Sequence, residues 1–302
     1  MEKARLVAFG VIASLLLALY LTRPDWAQAA HWWPMLFCTP LVVLPFLTLR
    51  PKQTWSQFLG AMLAWCLALH VVREPSALVL LLPNQKEGDT LRVVSLNCAG
   101  GTTEAAAEAF AQDADVVLLQ EVGSRTDFVH AAEKSGYPYV SYSVDDAVFT
   151  RHPLTNPSKA TDYAAATIEL DGKRVRLVAL RLLPPVFRLD LWSPDCWRNY
   201  AEDAAQRRKR LSELFTEAGA SGICIVGGDF NATNPRLVSD NRPDWSEAGR
   251  SVGRGWRGTG TNDFPFVWVD QIWGSPEIRW SQAYVRKTRN SDHRMVVGDF
   301  RL

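Results

Sequence analysis

The chain has 302 residues, with 33 Lys/Arg against 32 Asp/Glu and a formal charge of +1. That balance excludes the strongly basic footprint with which duplex-binding proteins displace counterions. Five cysteines with no Cys-x-x-Cys spacing exclude a disulfide framework or a cysteine zinc site: Cys38 and Cys66 lie in apolar runs, and Cys98, Cys196 and Cys224 cannot all pair.

The near-neutral hydropathy averages two unlike parts. Residues 1–85 carry six of the basic and three of the acidic residues, leaving 27 and 29 in the rest, a balance of −2. Three long apolar runs lie in this first part: Leu6 to Leu21, Trp32 to Leu49 and Trp55 to Val72. Each approaches the roughly 20 residues needed to cross a bilayer. Lys3 and Arg5 precede the first run, and Arg50 and Lys52 separate the second from the third, against Arg23 alone between the first two. The positive-inside rule then puts the amino terminus and the second loop in the cytoplasm, and everything after Val72 outside it. Trp26, Trp32, Trp33 and Trp55 fit an interfacial belt. The alternative is a signal peptide cleaved near Ala27-Gln28-Ala29, which leaves two spans and the same external domain. The expected organisation is an all-α transmembrane anchor of about three helices over 1–85, docked in a lipid bilayer, and a mixed α/β domain over 86–302.

In that domain Leu91 to Leu96 reads as a strand ending at Asn97, and Thr103 to Gln112 as an Ala-rich helix. Val116 to Gln120 is a buried strand that stops at Glu121. A helix over Ser124 to Ser135 and strands over Tyr137 to Tyr142 and Ala147 to Thr150 follow. His152, before a proline, reads as structural. Ala164–Leu170 and Lys173–Leu182 form a hairpin about Asp171-Gly172, a type I′ signal. Its second strand carries Arg181 among apolar residues, and a guanidinium there needs an anion, either a structural carboxylate or the site. A helix is expected over Tyr200 to Ala218, with Arg207-Arg208-Lys209-Arg210 as a solvated face.

The apolar strand Ile223 to Val226 delivers Gly227-Gly228-Asp229-Phe230-Asn231 at its end. The pair Asp229 and Asn231 is either an Asx-type turn or a site, and two glycines allow close approach. Arg242 to Gly260 reads as irregular, Val267 to Trp273 as a strand holding Asp270, and Met295 to Leu302 as a final strand after Asp292 and His293. Polar residues thus gather at strand ends: Asn97, Glu121, Asp229, Asn231, Asp270, Asp292 and His293. Hard oxygen ligands, a carboxylate to activate water and a histidine backed by an Asp are what hydrolysis of a phosphate ester requires.

In this the chain resembles the endonuclease/exonuclease/phosphatase (DNase I-like) family, in a membrane-anchored, bacterial-type form. The matches run in family order: the strand end at Asn97, Leu119-Gln120-Glu121, Thr150-Arg151-His152-Pro153-Leu154, Gly228-Asp229-Phe230-Asn231, Val269-Asp270-Gln271-Ile272 and Ser291-Asp292-His293. The resemblance covers about Leu91 to Leu302. It implies a four-layer α/β sandwich, two packed β-sheets flanked by helices. It also implies that Glu121 holds a catalytic Mg²⁺ or Mn²⁺ with Asn97 and Asp292, and that Asp229 orients or deprotonates water. Asn231 binds a phosphoryl oxygen on this reading, and His293, oriented by Asp270, stabilises the developing charge. The substrate class is a phosphate ester in nucleic acid, a nucleotide or a phospholipid headgroup; no protein partner is predicted. One departure stands out: the family usually has a histidine where this chain has Arg181. Either Arg181 clamps phosphate and turnover persists, or the domain is a catalytically impaired module that binds a phosphorylated ligand.

Overall fold

The structure, a computed structural model, describes residues 90–302 except 186, 187, 189, 191, 221, 233–235 and 266, together with a few helical positions between Val7 and Ala18. The three expected spans fall almost wholly outside the described residues. Among those described, no helix is long and apolar enough to cross a membrane. The chain divides into two compact units, one of residues 1–78 and 185–206 and one of residues 79–184 and 207–302.

The second unit is built on two sheets. In the first, β10 (Arg279–Arg286), β11 (Met295–Arg301), β1 (Leu91–Asn97), β2 (Val116–Gln120), β4 (Asp146–Thr150) and β3 (Tyr139–Tyr142) lie side by side in that order. In the second the order is β5 (Tyr163–Leu170), β6 (Lys173–Arg181), β7 (Cys224–Asp229), β9 (Asp270–Gly274) and β8 (Ser246–Glu247). Only β1 with β2 and β6 with β7 run parallel, so both sheets are mixed.

Strand alternation makes the layers. Val93, Val116, Leu118, Val148, Leu177, Ala179, Ile225 and Ile272 point between the sheets into one core. Their neighbours Val94, Leu96, Val117, Leu119 and Phe149 point the other way, onto α1 (Thr103–Phe110) and α2 (Arg125–Lys134) through Ala105, Ala106, Ala109 and Phe128. The outer face of the second sheet, with Val178, Leu180, Val226 and Trp273, is covered by Leu211, Leu214 and Phe215. These belong to α3 (Pro194–Glu217). The result is two mixed sheets packed face to face with helices outside, as expected.

Several expectations hold in detail. The Asp171-Gly172 turn has φ of +50° and +72°, the two positive values of a type I′ turn. Gly228 is required by β6: a Cβ there would lie 1.8 Å from the Leu180 carbonyl oxygen. Gly227 faces Leu118, whose Cδ1 would be 2.6 Å from an added Cβ, so the close approach is sheet on sheet.

Others are corrected. The β7 strand runs on through both glycines to Asp229. The β9 strand starts at Asp270 because the Thr259 hydroxyl accepts the Val269 and Asp270 N–H groups, each at 3.1 Å, in place of a ladder partner. Arg207 is buried rather than solvated, and Arg210 is tied to Asp162 and Glu217. The segment expected to be irregular holds β8 and the short helix α5 (Ala248–Val252), capped by the buried Glu247 carboxylate on the Gly249 and Arg250 N–H groups. A further short helix, α4, spans Arg236–Ser239.

In the first unit, α3 begins at Pro194 rather than near Tyr200, proline being suited to a first helical position. The Tyr200 hydroxyl donates to the Arg188 carbonyl and accepts its N–H, both at 3.1 Å, and Cys196 is buried beside Tyr200.

Candidate active site

Register and alternation together assemble a polar row at one end of the inter-sheet core. In the first sheet Asn97 pairs with Gln120 and Gln120 with Asp146. In the second, Arg181 pairs with Asp229 and Asp229 with Asp270. The two rows meet where Asn97 Nδ2 donates to Asp229 Oδ2 at 3.2 Å. Of these residues Asn97, Gln120, Asp146, Asp229 and Asp270 are all buried.

Glu121 lies just beyond β2 with a left-handed backbone, φ +49°. Asn231 (φ +46°) and Ala99 (φ +48°) share that conformation. Such strain in non-glycine residues is held by surrounding contacts and gathers at functional sites. Glu121 Oε1 accepts from Asn97 Nδ2 at 3.0 Å and faces Arg181 Nη2 at 2.8 Å, while Oε2 accepts the Gly100 N–H at 2.8 Å. Burial works to raise the Glu121 carboxyl, but the Asn97 bond, the Arg181 charge and the Gly100 bond outweigh it and hold it below its ordinary value. Arg181 Nη1 also reaches Asp145 Oδ2, at 3.2 Å.

On the other side of Asn97, His293 Nδ1 is 2.8 Å from the fully buried Asp270 Oδ2. Burial alone would lower the imidazole pKa; the Asp270 charge and hydrogen bond, with Asp229 and Asp292 adding to them, raise it to about 10. The ring is therefore a cation near neutrality, fixed in orientation by Asp270. Burial, then the Asp270 charge, push the Asp229 carboxyl up, against His293 and the Asn231 and Asn97 bonds. A carboxylate raised toward neutrality is a better proton acceptor than an ordinary aspartate. The loop before β11 is held to β1 by Ser291, whose hydroxyl donates to the Asn97 carbonyl at 2.7 Å and accepts the His293 N–H at 2.9 Å.

The turn and site readings of Asp229 and Asn231 are both realised. The Asn231 N–H donates to Asp229 Oδ1 at 2.9 Å, an Asx-type turn, and Nδ2 donates to Asp229 Oδ2 at 2.9 Å and to the Leu182 carbonyl at 2.8 Å. As a donor to a phosphoryl oxygen, Asn231 has to give up one of these bonds.

Asp292 is exposed, one residue before His293. It lines a cavity of about 420 Å³ with Asn262, Lys287, Thr288 and Ser291. His152 sits at the opposite end of β2, 3.4 Å from Asp115, outside the site as the sequence suggests. Cys98, Cys196 and Cys224 are buried free thiols.

The residues missed by sequence reasoning are Asp145, on the turn into β4, and Asp146, the first residue of that strand. Burial, then repulsion from Asp145, push the Asp146 carboxyl well up, against the Arg181 charge and backbone N–H. Their signal in the sequence is weak: two aspartates before the apolar Ala147-Val148-Phe149 read as a turn.

For a divalent cation the donor chemistry fits at Glu121, whose carboxylate is a hard oxygen ligand; Asn97 turns its amide nitrogen to Glu121 and its Oδ1 to the Ala99 N–H, each at 3.0 Å, so its amide has to turn over to offer an oxygen to the ion. Asp229, Asp270 and His293 also bring ligand atoms within 4.8 Å of one another. There, however, His293 Nδ1 is already engaged by Asp270 at 2.8 Å, which suits a hydrogen-bonding role.

Residues 94–293 match the profile of the Endonuclease/Exonuclease/phosphatase family. Among solved structures, an endonuclease/exonuclease/phosphatase from Beutenbergia cavernae DSM 12333 is similar with a TM-score of 0.55 at 18% identity, over 71% of this chain and 72% of that one. The beta toxin of Staphylococcus aureus gives 0.53 at 13% identity, over 69% and 99%. D. rerio TDP2, solved with a single strand DNA product, gives 0.53 at 15% identity, over 71% and 100%. At these identities the likeness shows the fold alone. A comparison with curated proteins yields no match.

Proposed function

Because the chain belongs to the endonuclease/exonuclease/phosphatase family, we propose that it hydrolyses a phosphodiester or phosphomonoester at the polar strand ends around Asn97. The observation that carries this reading is the pairing of His293 with the buried Asp270, 2.8 Å apart, beside a carboxylate, Asp229, whose pKa is raised. Asp229 takes a proton from the attacking water. The protonated His293, oriented by Asp270, donates to the phosphoryl oxygen as negative charge grows on it. Asn231 contributes a second donor once one of its internal bonds is exchanged, and Arg181 offers a planar fork suited to phosphate. Glu121 and Asn97, with Asp292 from the next loop, hold Mg²⁺ or Mn²⁺. When bound, that ion supplies charge neutralisation of the phosphoryl oxygens and acidifies water.

The substrate is a nucleic acid, a nucleotide or a phospholipid headgroup; the DNA product bound to the similar D. rerio protein favours the first for testing. The apolar runs over residues 6–72 anchor the chain in a membrane with residues 86–302 outside the cytoplasm, a reading that rests on the sequence. The full-length protein should hydrolyse one of a panel of DNA, nucleotide and lipid substrates at fixed ionic strength with Mg²⁺ and not with EDTA. Activity that survives EDTA or Glu121→Ala removes the metal reading. A second reading, phosphoryl binding with little turnover, is favoured by the contact of Arg181 with Glu121. It expects ligand binding without turnover, and turnover restored by Arg181→His.

A further inference from the structure

Glu121 already has a cation. Its Oε1 is filled by Asn97 Nδ2 at 3.0 Å and by Arg181 Nη2 at 2.8 Å. A divalent ion that takes Oε1 therefore meets a guanidinium, a like charge, already in contact with that oxygen. The Arg181 backbone cannot yield, because β6 is paired to β7 at Arg181 and Asp229, and the Leu182 N–H donates to the Asp229 carbonyl at 2.9 Å. The side chain can. Its Nη1 holds Asp145 at 3.2 Å, and its Nε is buried with no partner. Asp145 thus offers the guanidinium a place to stay when it leaves Glu121. A phosphate group, matched to its fork, offers a stronger reason to leave.

We propose that Arg181 is a built-in competitor of the divalent cation at Glu121, and that a phosphate group relieves the competition by drawing the guanidinium away, so that anion and metal bind cooperatively. The inference rests on the reading of Glu121 as a metal ligand. By linkage, whatever factor phosphate adds to metal affinity, the metal adds to phosphate affinity. The arrangement keeps the metal position weakly filled until a phosphate ester arrives.

The test is a Mn²⁺ titration of the full-length protein, followed by the electron paramagnetic resonance signal of the free ion, with and without inorganic phosphate and with a protein-free control. Wild type should bind Mn²⁺ more tightly when phosphate is present, by roughly 5- to 150-fold, the usual range of such couplings. Arg181→Gln should bind Mn²⁺ more tightly than wild type without phosphate and lose most of the phosphate effect. Arg181→His at pH 8 should behave in the same way and serves if the Gln variant fails to fold. Absence of a phosphate effect in wild type overturns the proposal. So does a folded variant that binds Mn²⁺ no more tightly than wild type. Mn²⁺ bound equally by all proteins removes the coupling and leaves Glu121 as a ligand. No Mn²⁺ binding by any of them removes both.

Discussion

His293 Nδ1 and Asp270 Oδ2 are 2.8 Å apart, and the carboxylate of the pair has no solvent exposure. The pair has a consequence for stability. The folded-state pKa of His293, about 10, lies above its ordinary 6.5. Its contribution is fully present below pH 6.5 and is lost as pH rises through 10. Thermal denaturation in EDTA should therefore show Tm falling between those two values, and His293→Gln should flatten the fall. A wild-type Tm that rises over the window contradicts the pairing.

Gly228→Ala should destabilise the domain, because the new methyl would lie 1.8 Å from the Leu180 carbonyl oxygen and force β6 and β7 apart. The expected loss is roughly 2–4 kcal/mol, read from urea denaturation. An Ala variant as stable as wild type would mean that the strands separate freely there.

Asp146 is a buried acid whose pKa is raised first by burial and then by Asp145. An acid whose pKa is raised on folding opposes folding increasingly as pH climbs above its unfolded value, near 3.9. Asp146→Asn removes that cost while keeping the shape. Its Tm should exceed that of wild type at pH 8 and match it near pH 4. Equal Tm values at both would show that Asp146 is not penalised.

Most of the sandwich was legible in the sequence because buried strands such as Val116 to Gln120 are apolar throughout and end abruptly at polar residues. The site was legible for the same reason: Asn97, Glu121, Asp229 and Asp270 interrupt or terminate apolar runs. Edge strand β10 was not, since Arg279-Trp280-Ser281-Gln282-Ala283-Tyr284-Val285-Arg286 buries only Trp280 and Ala283 and lacks an apolar signature. Asp146 was not, because a carboxylate beside a turn residue reads as turn chemistry until register sets it opposite Gln120. Arg181 among apolar residues needs an anion, but only the fold brings Glu121 and Asp145 to it from different loops. The Asn231 amide bonds likewise depend on Leu182, which is distant in the chain.

The central claim is that Asp229 and His293 act on a phosphate ester. The most direct measurement is the steady-state hydrolysis of bis-p-nitrophenyl phosphate with Mg²⁺ by the full-length protein and its Asp229→Asn and His293→Ala variants. Both variants should lose kcat by on the order of 10²–10⁴-fold with little change in KM. A variant that keeps the wild-type kcat while remaining folded would contradict the assignment.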